Sequence, residues 1–397
     1  MDYMTIAQTA SQWGVSERWV YKYLSDGRVE GATRFGSTWM VPAGAEKPPD
    51  PRKAILPPME NLTDRFVELL NATTEPMPSE DPDSILDSDC NKVVRNQYEA
   101  ELAYLRGDYT EALNCYHLAC EDPAAKLRMC TVAISVVIST GGYALFAEIE
   151  DYLKNIIKTG ESTAIRTYAE QSLAIAFVST LASSLIPTWL RQGDFSTVLP
   201  HALPDALHKR SKYYQCIEEF EAMSATAQTA LSIYASRGEI SMSEVYLRVN
   251  LAIASAALGR ISETKAHLLE ALHICLPHGF ITPFAEAAAS FGGILEECLL
   301  EEFPEYYERA IDQWNGVFRN WIDFHNRFTK DNLTQILTLR EYHIAQQVAR
   351  HTPYAEIAQR YAISVGRLKN IVQGIYRKLL ISNRRELREY IIWQGSK

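Results

Sequence analysis

Residues 364–379 read SVGRLKNIVQGIYRKL, and this stretch decides the fold of the C-terminal part of the chain. Its apolar residues recur at spacings of four, three and four, the period that gives a helix one buried stripe. They are Leu368, Val372, Ile375 and Leu379. Ser364 stands before them, where its side chain can cap the helix. The opposite face is then exposed, and its donors suit phosphates and purine edges in a major groove.

The residues on or beside that exposed face are the candidate DNA contacts at this end of the chain. They are Ser364, Arg367, Lys369, Asn370, Gln373, Arg377 and Lys378. Two shorter helices are expected upstream, the first beginning at the capping-box spacing of Thr338 and Glu341. The apolar positions of this pair are Ile344, Val348, Ile357, Ala358, Tyr361 and Ile363. The pattern predicts a helix-turn-helix DNA reader.

The positive charge of the chain is concentrated at this same end. Residues 337–397 hold eleven Lys and Arg against four Glu, an excess of seven, whereas the whole chain of 397 residues has a formal charge of −10. The other 336 residues therefore carry about −17. Charge segregated in this way favours a nucleic-acid partner over general stickiness.

Three blocks, LTLRE at 337–341, AEIAQRYAISVGRLKN at 355–370 and IYRKLLISNR at 375–384, resemble the DNA-binding domain of LuxR-type transcription regulators. The resemblance implies a four-helix helix-turn-helix domain over 331–397, with Ser364 to Leu379 as the recognition helix. It places Arg367, Lys369 and Asn370 against double-stranded DNA. It also implies that the terminal helix, Arg384 to Trp393, forms a homodimer.

The chain departs from that family at three positions, which bear on base preference rather than on the fold. Arg367 stands where the family usually has Thr, Ile371 where it often has His, and Leu380 where it has Gly. The alternative interpretation of the segment is a basic helical bundle that only packs on the preceding domain.

The first 42 residues predict a second compact module. Two helices joined at Gly14 fit residues 5–24, with Ser16 as the cap of the second helix. Val20 and Leu24 form an apolar stripe four residues apart, which leaves the polar side chains of that helix facing outward. Residues 32–42 alternate around a Gly-Ser pair as a small β-hairpin does.

This module, residues 1–46, resembles the excisionase-like, MerR-related winged-helix domains. The resemblance implies a set of DNA contacts on the second helix and the wing. They are Ser16, Arg18, Tyr21, Lys22 and Arg34. However, residues 1–47 hold five basic and five acidic side chains, so the module has no net positive field. Helper DNA binding and protein binding both remain open for it.

Residues 47–91 are rich in Pro and acidic residues and predict a linker, with a short helix between Ile55 and Leu70. From 92 to 330 the pattern is that of successive helices. The runs at Ala103–Leu113 and Leu258–Ala266 resemble tetratricopeptide repeats and the sensor arm of the maltose-regulon activator class, which also ends in a LuxR-type domain. The fold class is therefore mainly α, with a tetratricopeptide-like central α-solenoid expected to bind a small-molecule, peptide or protein effector.

Other classes of function find little support in the sequence. No Gly-Lys-Ser/Thr phosphate loop occurs, no catalytic arrangement has local motif support, and His and Cys spacings do not predict a metal site, so neither an enzyme nor a cofactor is expected. Seven cysteines without CxxC pairing indicate reduced thiols and a cytoplasmic location. The charge-free runs Met129–Ala147 and Ser172–Leu190 are better explained as buried helices than as membrane spans, and a cavity between them would suit a small apolar effector.

The sequence thus predicts a bacterial-type, cytoplasmic, sequence-specific transcription regulator with DNA readers at both ends of a helical sensor. The alternative is a protein-interaction scaffold or anti-regulator. In that case the solenoid groove holds a partner protein, and the helix-turn-helix modules serve only for docking.

Overall fold

The structure is a computed structural model, and it is mainly helical. The residues it describes are 3–25, 29, 31–35, 38–45, 47, 62–87, 91–234, 239–291, 293–330, 337, 339–361, 363–379 and 381–390. The chain divides into two compact units, Met1–Pro58 and Met59–Lys397.

The first unit consists of two short helices and a small sheet. Its elements are β1 (Tyr3–Met4), α1 (Ile6–Trp13), α2 (Glu17–Ser25), β2 (Thr33–Phe35) and β3 (Thr38–Pro42). Thr5 and Gln8 form a capping box that begins α1. Gly14 ends α1 with a φ of 65°, a left-handed conformation that favours glycine, and so sets the turn into α2.

The sheet of this unit has the order β1-β3-β2, with both pairings antiparallel. Arg34 lies opposite Trp39 in the β2–β3 pair, so the predicted hairpin is present, although its Gly36-Ser37 turn lies outside the described residues. The predicted stripe of α2 is also confirmed, because Val20 and Leu24 are both buried. They pack in a small core with residues of α1 and β3.

The second unit begins with an array of helices. In chain order, α3 to α16 are Leu62–Ala72, Lys92–Arg106, Tyr109–Ala119, Pro123–Thr140, Tyr143–Thr159, Thr163–Ser179, Thr188–Gln192, Leu203–Cys216, Phe220–Tyr234, Met242–Ala257, Ile261–Cys275, Thr282–Ala287, Ile294–Glu302 and Pro304–Thr329. Short 3₁₀ turns lie at Pro82–Asp87, Ser183–Leu185, Pro200–Ala202, Leu276–His278 and Ala288–Ser290. The expectation of successive helices between 92 and 330 is confirmed, apart from the two-residue strand β5 at Glu239–Ile240.

Local signals set where these helices begin and end. Gly107 ends α4 with a φ of 80°, and the side chain of Asp108 then accepts the Glu111 N–H in the first turn of α5. Asp122 caps α6 in the same way, with Pro123 as its first residue. Two residues thus separate α4 from α5, and three separate α5 from α6.

Successive helices of the array pack on one another, including α4 with α5, α7 with α8 and α12 with α13. The 26-residue helix α16 returns across the array to pack on α6 and α14. Within the described residues, α6 is the one helix long and apolar enough to cross a membrane, and most of its side chains are buried against its neighbours. The core helix of a helical array meets both criteria.

Residues 73–87 differ from the tether that their composition predicts. Residues Met77–Pro78 form strand β4, which pairs with β5, and Met77 is buried in the core of the array. Arg106 forms an ion pair with Asp83 at the other end of the segment. Thr73 accepts a hydrogen bond from the buried Arg128. Because these partners lie far along the chain, no local pattern could indicate them.

The second unit ends in four short helices, α17 (Leu339–Ala349), α18 (Tyr354–Arg360), α19 (Val365–Leu379) and α20 (Arg384–Tyr390). They enclose one core in which every residue of the predicted α19 stripe is buried. Ile322 of α16 is part of that same core. The last helix of the array therefore shares a core with the C-terminal helices.

Candidate nucleic-acid interface

Helix α19 presents one buried and one exposed face, as its sequence predicts. The Ser364 hydroxyl accepts the Arg367 N–H at 3.1 Å, which confirms Ser364 as the cap of the helix. All seven candidate contacts at this end of the chain are exposed. Three of them, Lys369, Gln373 and Arg377, follow one another at intervals of four residues and form one row along the helix.

A second row on the exposed face contains two glycines on either side of Asn370. A Cβ added at Gly374 would meet no atom within 4 Å, and one at Gly366 would meet only the Ser364 hydroxyl at 3.9 Å. Packing inside the protein therefore does not require glycine at either position. The two glycines leave the surface beside Asn370 low enough for a partner to approach closely.

Sequence reasoning missed one residue of this face. Val365, the first residue of α19, is 39% exposed beside the cap. An exposed apolar side chain at that point can contact a thymine methyl group. The signal in the sequence was weak because Val365 stands one residue outside the buried stripe that defined the helix.

Not all basic residues of α19 are equally available to a ligand. Lys378 donates to both carboxylate oxygens of Glu341, at 2.7 and 2.8 Å, so its ammonium is tied to α17. The Arg377 Nε donates to the Gln373 carbonyl at 3.4 Å, within its own helix. Among the described residues, Lys378 thus forms an ion pair within the protein and is less available than its neighbours on α19.

Arg340 extends the positive field near the start of α19. Burial lowers the pKa of its guanidinium, and the nearby charge of Arg367 lowers it further. Its Nη2 donates to the Tyr361 carbonyl at 3.3 Å, which holds the group in place. Arginine stays protonated even when its pKa is depressed, so Arg340 and Arg367 place two permanent positive charges near each other at the start of α19.

Helix α20 is anchored to the helices before it. Arg384 donates to the main-chain carbonyls of Val348 and Thr352, and Leu387 is fully buried in the shared core. Residues 391–393, the rest of the predicted dimer helix, lie outside the described residues. Thr338, the predicted cap of α17, lies outside them as well.

In the first unit, α2 exposes the side chains of its predicted contacts Arg18, Tyr21 and Lys22. The Lys22 ammonium lies 5.5 Å from the centre of the Trp19 ring, in cation–π range. Arg34 on β2 is exposed too, with its guanidinium 5.8 Å from the ring of Trp39. Ser16 precedes the helix, and its carbonyl accepts the Val20 N–H.

The C-terminal helices dock on the array through Glu218, which follows α10. Its carboxylate lies 3.1 Å from the Arg360 guanidinium and 3.6 Å from the His343 ring, and the Tyr361 hydroxyl donates to it at 3.4 Å. On α16, the ring of His325 meets that of Tyr342 edge-on, with centroids 5.8 Å apart. These contacts involve α17 and α18, and the exposed face of α19 stays open.

A cavity of about 680 Å³ lies inside the array, between α4, α6, α8, α10, α12, α14 and α16. Both charge-free runs of the sequence line it, through residues such as Val132 and Ile138 of α6 and Ile175 of α8. Exposed residues at its edge, Glu75 and Ile233 among them, mark where it opens to solvent. Its volume is within the range of small-molecule sites in proteins.

Among the described residues, no group of three or more His, Cys, Asp or Glu side chains is arranged to hold a metal ion. The six described cysteines are free thiols. Comparison of the chain with protein-family models, curated proteins and solved structures found no match.

Proposed function

We propose that the protein is a sequence-specific DNA-binding transcription regulator and that α19 is its recognition helix. The observation that carries this proposal is the exposed row of Lys369, Gln373 and Arg377 in the most basic part of the chain. Basic side chains on one face of a helix can neutralise phosphates, and amide side chains beside them can pair with purine edges. Arg367 and Asn370 have the side chains best suited to read bases.

The first unit acts as a helper reader in this proposal. Arg18 and Lys22 lie on one face of α2, and Arg34 lies on the neighbouring hairpin. With no net positive charge around them, we expect them to add less affinity than the C-terminal residues. A bacterial-type cytoplasmic regulator that binds as a homodimer through α20 would place two copies of α19 on two half-sites.

The helical array is the sensor of this regulator, in the manner of a tetratricopeptide-like solenoid. Its cavity offers room for an effector, and its contacts with α17 and α18 offer a route to the DNA-binding helices. We expect an effector to act by changing how these helices are held.

The test is selection of bound sequences from a random DNA duplex pool with the full-length chain. Lys369→Ala, Arg367→Ala and Asn370→Ala are compared with Lys154→Ala, whose side chain is exposed on α7 and pairs with Glu150 in its own helix. We expect the parent and the Lys154 variant to enrich one motif. Lys369→Ala should weaken binding to all sequences, whereas the other two variants should relax base preference.

Enrichment of the same motif with the same affinity by all three α19 variants would show that α19 does not read DNA. No enrichment by the parent chain at low salt would favour the interaction scaffold instead.

A further inference from the structure

The cavity of the array has a polar corner formed by two adjacent helices. His208 and Lys212 lie one turn apart on α10, and Asn250 lies on α12, which packs against α10. Asn250 is 1% exposed, yet neither the oxygen nor the nitrogen of its amide has a protein partner in the described part of the chain. A buried amide without partners costs free energy, so its presence calls for a partner from outside.

The other two residues of the corner also keep hydrogen-bonding capacity unused. Among the described residues, the buried His208 Nε2 has no hydrogen-bond partner. Burial lowers the pKa of His208 to about 3, so its ring is neutral at physiological pH. Within residues 62–87, 91–234 and 239–291, the Lys212 ammonium has no hydrogen bond and no ion pair. The corner therefore combines an amide, a neutral ring and an amine.

Most of the other charged groups that line the cavity are already paired. Arg128 is paired with Glu101, Asp205 with Lys209, and Glu244 with Arg248. Glu286 accepts hydrogen bonds from the hydroxyls of Tyr104, Ser139 and Tyr246, and its charge also acts on Lys212. Glu75 is exposed at the edge of the cavity. Lys212 is a lining cation whose ammonium has no ion pair among the described residues, so it can bind an external anion.

The wall formed by α6 and α8 has a different character. Val132, Ile138 and Ile175 present aliphatic side chains to the cavity, and these helices pack directly on each other. An apolar group placed there would be removed from water at a gain of roughly 25 cal/mol per Å². The expected ligand therefore has an apolar body and a polar end.

We infer that this cavity binds a small organic acid that carries an amide on an apolar body, such as an N-acyl amino acid or a short apolar peptide. Lys212 would take the carboxylate. Asn250 would pair with the ligand amide, because its NH2 group can donate to the ligand carbonyl and its oxygen can accept the ligand N–H. A purely apolar effector, which the charge-free helices suggest in the sequence, would leave this corner unpartnered. The effector role of this ligand rests on the proposed function; the site itself does not.

The site has direct connections to the C-terminal helices. Trp321 of α16 lines the cavity, its Nε1 donates to the Ser179 carbonyl at 2.7 Å, and its ring stacks on His325. Next to it, Ile322 is in the core of the C-terminal helices. Helix α10, which carries Lys212, ends just before Glu218, the docking residue. A ligand that shifts α10 would therefore act on the Glu218 contact, and one that shifts α16 would act on the core around Ile322.

The first arm of the test measures thermal unfolding of the full-length chain without ligand. If the polar corner serves a ligand, Asn250→Leu should raise the melting temperature by about one to three degrees, because it removes an unpaired buried polar group. The matched control is Gln171→Met, since Gln171 is equally buried but its amide nitrogen donates to Ala202 and Asp205, although its oxygen, like that of Asn250, has no partner among the described residues. The control should lower the melting temperature, and a loss of the same size in Asn250→Leu would assign Asn250 a structural role and overturn the inference.

The second arm measures binding by calorimetry, with no DNA present. The compounds are N-octanoyl-leucine and tri-leucine, each with its methyl ester, followed by a panel of homologous acids and esters. We expect acids to bind the parent chain at least tenfold more tightly than their esters. Lys212→Met should remove that difference, and Asn250→Leu should weaken both forms about tenfold. Lys154→Met should bind as the parent does.

The half of the panel that binds identifies the source, an acylated amino acid or a peptide. If no acid in the panel binds, or if acids and esters bind the parent equally, the inference is overturned. Binding by an acid without any change in the affinity for DNA would leave the site standing and contradict the sensor role. Failure to select DNA in the earlier experiment would leave this arm unaffected.

Discussion

Helices α2 and α19 have outward faces of the same kind, yet they lie in opposite electrostatic settings. Each buries an apolar stripe and exposes basic and polar side chains at helical spacing. Residues 1–47 have equal numbers of basic and acidic residues, whereas residues 337–397 have an excess of seven positive charges. By geometry alone, both helices are candidates for contact with DNA. The difference in net charge predicts that α19 would contribute more affinity than α2.

The largest expected difference between α2 and α19 comes from reversing two charges on each helix. Arg367→Glu with Lys369→Glu should weaken DNA binding by more than about a hundredfold at physiological salt, because two phosphate or base contacts become repulsive. Arg18→Glu with Lys22→Glu should weaken it less than about tenfold. Fluorescence anisotropy with the selected duplex measures both. Equal losses would mean that the two helices contribute equally and that net charge does not rank them.

The salt dependence of DNA binding compares α19 with α2 through single substitutions. Lys369→Ala should lower the slope of log affinity against log salt by about one and weaken binding roughly tenfold. Lys22→Ala should change the slope by less than half as much, because its ammonium already lies against the Trp19 ring. Titrations at several salt concentrations separate the two. An unchanged slope for Lys369→Ala would remove Lys369 from the phosphate contacts.

The row of α19 that contains Gly366, Asn370 and Gly374 provides a test with a smaller expected effect. Gly374→Ala meets no atom within the protein and should stabilise the helix by roughly 0.5–1 kcal/mol. If DNA passes closely over this row, the added methyl should nevertheless weaken binding about threefold. Denaturant unfolding and anisotropy on the same variant report the two effects. A stabilised variant with parental affinity would place DNA away from Asn370 and its neighbours.

The smallest effect is expected at Lys378. Because its ammonium is held by Glu341, Lys378→Ala should weaken DNA binding less than about twofold. Glu341→Gln should release Lys378 and strengthen binding slightly, with a steeper salt slope as its signature. Arg377→Ala, one residue away and without an ion pair in the described ranges, should have the larger effect of the two alanine variants. The reverse order would show that the Glu341 contact is exchanged for a phosphate on binding.

The sequence predicts both faces of α19 well, because its information is local. Leu368, Val372, Ile375 and Leu379 repeat at the helical period, and burial follows from that period alone. The ion pair of Lys378 could not be anticipated, because Glu341 lies 37 residues earlier and the pairing depends on how α17 packs on α19. Whether a side chain is buried or exposed is thus easier to predict from the sequence than whether it already forms an ion pair within the protein.

The middle of the chain was harder to predict, for the same reason. The Pro-rich and acidic residues 73–87 indicate a tether, but Arg106 and Arg128 supply partners from other helices and hold the segment in place. The two charge-free runs indicate buried helices only in part: residues 129–139 of α6 and 172–179 of α8 are largely buried and line the cavity, whereas both runs continue past the helix ends into less buried segments. The polar corner opposite them depends on the crossing of α10 and α12, and the isolated positions of Lys212 and Asn250 gave no signal.

The burial of Ile322 among the C-terminal helices has a consequence for cooperativity. A polypeptide of residues 331–397 alone would lack this side chain and expose the apolar surface that it covers. Residues 59–397 form one compact unit, so we expect them to melt in a single transition rather than in two. The thermal stability of the C-terminal helices is then set largely by the array, and a ligand that stabilises the array would raise the melting temperature of both together.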